Sequence, residues 1–164
     1  MKLWIYRIFL IVCICSVVGF ILFNSTRTGE QSSSISNSVI DKVVDVVAPE
    51  ISEMETEQRE KAMYNANAFL RDVAHVAEYI ALAGLAALLF FTLKFNYGRY
   101  AIPTVLVCLS CFVFALCDEL LQNSFSGRMA QITDVAMDML GSAIGVVGAC
   151  AVDFIGICVI NRRS

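Results

Sequence analysis

Charge is scarce in this chain. Lys, Arg, Asp and Glu make up 16% of its 164 residues, while apolar types make up 58%, well above the roughly 45–50% apolar share of soluble domains. The composition therefore points to a membrane class. Proline is almost missing, at two residues, and aromatics stop at 10%, which suits helices packed in lipid. A concentrated positive field is lacking too. The net charge is −3 and the basic residues are scattered, so nothing indicates a nucleic-acid partner. Seven cysteines are present, but the count is odd, and Cys13, Cys15, Cys108, Cys111, Cys117, Cys150 and Cys158 all lie inside apolar runs. That excludes a disulfide framework. Cys108 and Cys111 form C-x-x-C, yet a redox thiol needs solvent access and a depressed pKa; small apolar packing residues are the plainer reading.

What the sequence has in abundance is long apolar runs. A hydrocarbon core of ~30 Å takes about 20 such residues per helix, and residues 3–23, 73–93, 101–120 and 135–160 qualify. In the first, Lys2 and Arg7 precede a long apolar core, as in a signal peptide. No small-x-small cleavage site comes after it, and neither Cys13 nor Cys15 has the preceding small residue of a lipoprotein signal, so an uncleaved helix is expected. The chain then divides into a first transmembrane helix (1–23), an extracytoplasmic loop (24–72), a three-helix transmembrane core (73–160) and a basic tail (161–164). The expected fold is an all-α membrane four-helix bundle. Short basic segments at Lys2 and Arg7, Lys94 and Arg99, and Arg162 and Arg163 put both termini in the cytoplasm by the positive-inside rule. The long loop has a serine-rich half, "NSTRTGEQSSSISNS", which either presents hydroxyls to a headgroup or sugar or is a solvated linker. "VIDKVVDVVAPE" reads as an amphipathic helix stopped by Pro49, and "EMETEQREKAMYNANAFL" as an acidic helix able to run into helix two. Both are expected to lie over the outer membrane surface. "NST" also matches a glycosylation acceptor, a weak signal.

This topology gathers the scarce charges. The second span opens with Arg71, Asp72, His75 and Glu78, the third ends with Asp118, Glu119 and Gln122, and Arg128, Gln131, Asp134 and Asp138 lead into the fourth. All fall in one leaflet. At about 100° per residue, Arg71, His75, Glu78 and Leu82 share a stripe ~60° wide, and Asp134, Asp138, Gly141, Gly145 and Gly148 one ~80° wide. Glycine at that spacing lets helix backbones approach closely, so Gly141, Gly145 and Gly148 are expected packing positions and the acids on their face look inward. Cys111, Ala115, Asp118 and Gln122 repeat the pattern. Ionisable residues inside a membrane mark function by default. The competing reading is structural: Arg71 and Arg128 neutralise the acids, and Asp134 complements the helix dipole.

The stretches "FNSTRTGEQSSSISNSV", "RDVAHVAEYIAL" and "ALCDELLQNSFSGRMAQITDVAMDMLGSAIG" carry a resemblance. Over about residues 20–148 the chain resembles the VanZ-like family of small bacterial membrane proteins, whose founder is linked to teicoplanin (glycopeptide) resistance. The resemblance marks His75, Glu78, Tyr79, Asp118, Glu119, Gln122, Gly127, Arg128, Gln131, Asp134, Asp138 and Gly141 as family-type positions. It implies a bacterial plasma-membrane protein with an envelope role, and no mechanism. Leu121 stands where the family often has histidine, and "NSFS" before Gly127 lacks a proline common there.

Three function classes remain open from sequence. One is recognition or modification of a cell-wall precursor, a lipid-linked component or a glycopeptide at the outer leaflet, with Arg71 and Arg128 engaging phosphate or carboxylate. The acids and His75 would then orient hydroxyls or hold a divalent cation, for which no sequence-local motif exists. The second is an enzyme on a lipid phosphate or glycan, using the His and carboxylates for acid–base or metal-assisted chemistry. His75 and Glu78 form only H-x-x-E, half of a ligand set. The third is transport, which four helices would support only as a homo-oligomer; Asp153, deep in helix four, suits a proton path, a dimer contact or a partner in Lys94 or Arg99.

Overall fold

A computed structural model describes residues 2–27, 40, 55–93, 98–125 and 131–161. Four helices carry the fold: α1 (Lys2–Ser25), α2 (Thr56–Phe91), α3 (Ala101–Gln122) and α4 (Ile132–Asn161). No strand occurs among the described residues, and all four helices are long and apolar enough to cross a membrane. The serine-rich stretch from residue 28 onward and the amphipathic helix expected before Pro49 fall outside the described residues, apart from Ile40. So do Lys94, Gly127, Arg128, Arg162 and Arg163.

The helix ends follow from local chemistry. Glu57 lies in the first turn of α2 and Asp134 in that of α4, where a negative charge complements the exposed N–H groups. Pro103 sits in the first turn of α3, where its missing N–H has no intrahelical partner to lose. α2 closes at Thr92, whose hydroxyl donates to the Leu89 carbonyl at 2.7 Å. Because α2 is continuous from Thr56, the division expected between residues 72 and 73 falls in mid-helix.

Outward faces are apolar. Phe9, Val105, Leu109, Val147, Val152 and Phe154 are all exposed, as helices facing lipid require. Inward faces are small or aromatic, with Tyr79, Ala83, Ala87, Val107, Cys111, Ala115 and Val146 forming one buried cluster. The most extensive pairing is α2 against α4, and glycine permits it. A Cβ on Gly141 would collide with the Val76 carbonyl oxygen, and one on Gly145 with the Ile80 carbonyl and, at 2.9 Å, the Gly84 nitrogen. Gly148 corrects the sequence expectation. It is exposed, and a Cβ there would meet nothing within 4 Å. The packed face of α4 passes instead to Val146 and Ala149.

The end of the bundle remote from the acidic cluster is tied by two contacts. Arg7 on α1 donates to the hydroxyl and carbonyl of Thr92, at 2.9 and 2.6 Å. Arg99 grips Asp153 with both ends of its fork, at 2.8 and 2.9 Å, and the Tyr100 hydroxyl adds a bond at 3.0 Å. Asp153 therefore has the Arg99 partner that was one of its three readings. The carboxylate in turn raises the pKa of the Arg99 guanidinium, chiefly through this hydrogen bond.

Candidate functional site

Every helix sends polar side chains to the other end. From α2 come Arg71, His75 and Glu78; from α3, Asp118, Glu119 and Gln122; from α4, Asp134 and Asp138, with Gln131 just before it; from the end of α1, Asn24 and Ser25. His75, Asp118, Glu119, Gln122, Asp134, Asp138 and Ser25 are all buried, Asp138 fully. Burial this deep of five carboxylate-bearing positions, counting half-buried Glu78, demands compensation, since an uncompensated buried charge costs several kcal/mol or more. The geometry shows where compensation is found and where it is not.

One half of the cluster is satisfied by α1. Asn24 Nδ2 donates to Glu78 Oε1 at 2.8 Å. The Ser25 hydroxyl reaches Asp118 Oδ1 at 2.5 Å, and Gln122 Nε2 donates to Asp118 Oδ2 at 2.8 Å. Both oxygens of Asp118 are thus occupied. Ser25 also lies 2.9 Å from the Ile21 carbonyl, but its single proton serves one acceptor at a time, and a carboxylate is the stronger. Asn24 and Ser25 were not expected in the site. The signal was present: they end a span in the same leaflet as the acids, but read as the start of a loop and a glycosylation acceptor.

The other half lies between α2, α3 and α4. His75 Nδ1 is 2.9 Å from Asp138 Oδ1; with Asp138 ionised that nitrogen carries the proton, because a carboxylate can only accept. His75 Nε2 is 3.8 Å from Asp134 Oδ2, beyond hydrogen-bond range. An Arg71 terminal nitrogen donates to Gln131 Oε1 at 3.0 Å and to Asp134 Oδ1 at 3.3 Å. The backbone N–H of Gln131 donates to Glu119 Oε2 at 2.8 Å. Three buried oxygens in this half nevertheless find no partner among the described residues: Glu119 Oε1, Asp138 Oδ2 and the Tyr79 hydroxyl. Tyr79 is fully buried, with its ring 6.2 Å from that of Phe114. Among the described residues Arg71 is the arginine that reaches the cluster. Arg128, also expected here, lies outside the described residues.

The arrangement can accept positive charge or donated protons at Glu119 and Asp138, and His75 is held in one orientation by Asp138. His75, Glu119 and Asp134 also offer ligand atoms lying within 4.8 Å of one another. Neither the curated proteins nor the solved structures compared with this chain give a match. A family model described as VanZ/LLP1 covers residues 8–154, a stretch that includes every described residue of the cluster, and the chain belongs to the VanZ/LLP1 family.

Proposed function

We propose that this VanZ-type membrane protein binds or modifies a cell-wall or lipid-linked component at the outer leaflet and so lowers susceptibility to glycopeptides of the teicoplanin type. The observation that carries the reading is the convergence of polar side chains from all four helices on one end of the bundle, several with unused hydrogen-bonding capacity. Structural pairing alone leaves Glu119 Oε1, Asp138 Oδ2 and the Tyr79 hydroxyl unexplained. Buried polar groups in folded proteins are ordinarily paired, so groups left open in a shared cluster fit a ligand that completes them. Arg71, half-exposed at the rim, suits the first contact with a phosphate or carboxylate. The basic short segments favour an outer position for this end and cytoplasmic termini, as expected of a protein of the bacterial plasma membrane.

The test is substitution of Glu119, Asp138 and Arg71 in a glycopeptide-sensitive bacterial host, with teicoplanin susceptibility as readout and membrane abundance measured for each variant. Loss of protection at unchanged abundance supports the reading. Protection that falls only as abundance falls assigns the cluster to folding. A second reading, chemistry on a lipid phosphate or glycan, is favoured by one observation: Asp138 fixes the His75 tautomer and leaves Nε2 directed toward carboxylates, as acid–base or metal-assisted catalysis requires.

A further inference from the structure

We propose that His75, Glu119 and Asp134 hold one divalent transition-metal ion, of the zinc(II) or manganese(II) kind, with Asp138 as the residue that orients the histidine. Three observations converge. The candidate ligand atoms come from three different helices, are all buried, and lie within 4.8 Å of one another. Glu119 is 4% exposed, and its Oε1 has no hydrogen-bond partner among the described residues. His75 is 6% exposed, and its Nδ1 proton is committed to Asp138 at 2.9 Å. In the neutral ring, Nε2 therefore carries a lone pair, and the nearest carboxylate oxygen across from it is Asp134 Oδ2 at 3.8 Å.

That last distance is informative. It is too long for a hydrogen bond and a little shorter than the ~4.1 Å sum of a Zn–N and a Zn–O bond. An ion fits between the two atoms without pushing either away. Ligand atoms that lie within 4.8 Å of one another close to roughly 3.4 Å in a tetrahedral shell with bonds of about 2.1 Å, so the carboxylates rotate inward as the ion binds. The pattern of carboxylate, histidine and metal, with the outer carboxylate setting tautomer and ring angle, is how protein metal sites are ordinarily built. One imidazole and two carboxylates suit zinc or manganese better than calcium or magnesium, which take all-oxygen shells. Three protein ligands leave at least one coordination position for water or a ligand oxygen. A phosphate or hydroxyl of the lipid-linked component proposed above would complete the shell there. That final assignment rests on the proposed function; the ion itself does not.

The experiment uses the full chain purified in detergent, stripped with chelator and reloaded with zinc or manganese chloride. Bound metal is counted after desalting, and affinity is measured by competition. We expect about one ion per chain, a loss of affinity of at least 100-fold for His75→Gln and for Glu119→Gln, and a 10–100-fold loss for Asp138→Asn. Asp153→Asn, at the other end of the bundle, should bind as wild type. Cobalt(II) reports separately on the ligand set, since its visible spectrum should change in Glu119→Gln. Wild-type protein that retains no metal overturns the proposal whether or not any variant folds. So does wild-type affinity in a monodisperse His75→Gln or Glu119→Gln. Protein that binds no metal on reloading yet protects against teicoplanin sinks this inference and leaves the proposed function standing; protein that binds one ion per chain with no protective effect does the reverse.

Discussion

The two ends of the bundle both carry charge, and they use it differently. At one end Arg99 meets Asp153 one to one, in a forked pair closed by Tyr100, with the arginine half in solvent. Arg7, at the same end, is met by the neutral Thr92. At the other, Glu78, Asp118, Glu119, Asp134 and Asp138 face Arg71 and His75 among the described residues, and the acids are mostly buried. Exposed balanced pairs contribute little to stability, typically about 0–1 kcal/mol, and need no further purpose. A buried excess of one sign is costly to assemble and persists only where something repays that cost. Charge alone is therefore no guide to the functional end; imbalance combined with burial is.

The largest expected effect tests that imbalance directly. Glu119→Gln and Asp138→Asn nearly preserve shape, so each should abolish protection against teicoplanin, by tenfold or more in inhibitory concentration, while membrane abundance stays near wild type. Equal losses of protein and protection would make the buried end as structural as the exposed one. Gly145→Leu comes next. It drives a branched side chain into the Ile80 carbonyl and the Gly84 backbone, an overpacking of about 1–3 kcal/mol that should lower thermal stability in detergent. Gly148→Leu serves as its control and should be silent, because that position faces open space. A smaller effect is expected for Arg71→Lys. One terminal nitrogen donates to both Gln131 and Asp134, and a shorter ammonium reaches them less well, so protection should weaken several-fold without vanishing. Smallest of all is Asp153→Asn, which should cost no more than about 1 kcal/mol and leave susceptibility unchanged. Should Asp153→Asn prove as damaging as Asp138→Asn, the contrast between the ends collapses and a proton path along α4 regains its case.

Much of this was legible in the residues. The helices follow from apolar length, and the inward face of Asp134, Asp138 and Gly141 from a 100° rotation per residue, because both properties belong to one helix at a time. What escaped depends on pairs. Seven residues nearly complete two turns, so Gly148 shares the angular sector of Gly141. Angle says nothing of where along its axis a neighbour comes closest, and crossed helices diverge from that point. Close approach ends near Gly84 and Gly145, leaving Gly148 outside it. Asn24 and Ser25 escaped for a related reason. Their neutral side chains carry no signal until Glu78 and Asp118, more than fifty residues away, are brought within reach.

The length of α2 fixes a depth. Its 36 residues rise about 54 Å at 1.5 Å each, against a hydrocarbon slab of ~30 Å. Counting one slab thickness, about 20 residues, back from Phe91 brings the slab boundary to Arg71. The preceding turns then stand in water, Arg71 floats at the waterline, and His75 lies about 6 Å beneath it. Amphiphiles with headgroups at the same waterline would approach this cluster sideways, tails still dissolved in the bilayer, whereas a free solute must descend to it. The helix is a depth gauge, and its mark falls at the height of lipid headgroups.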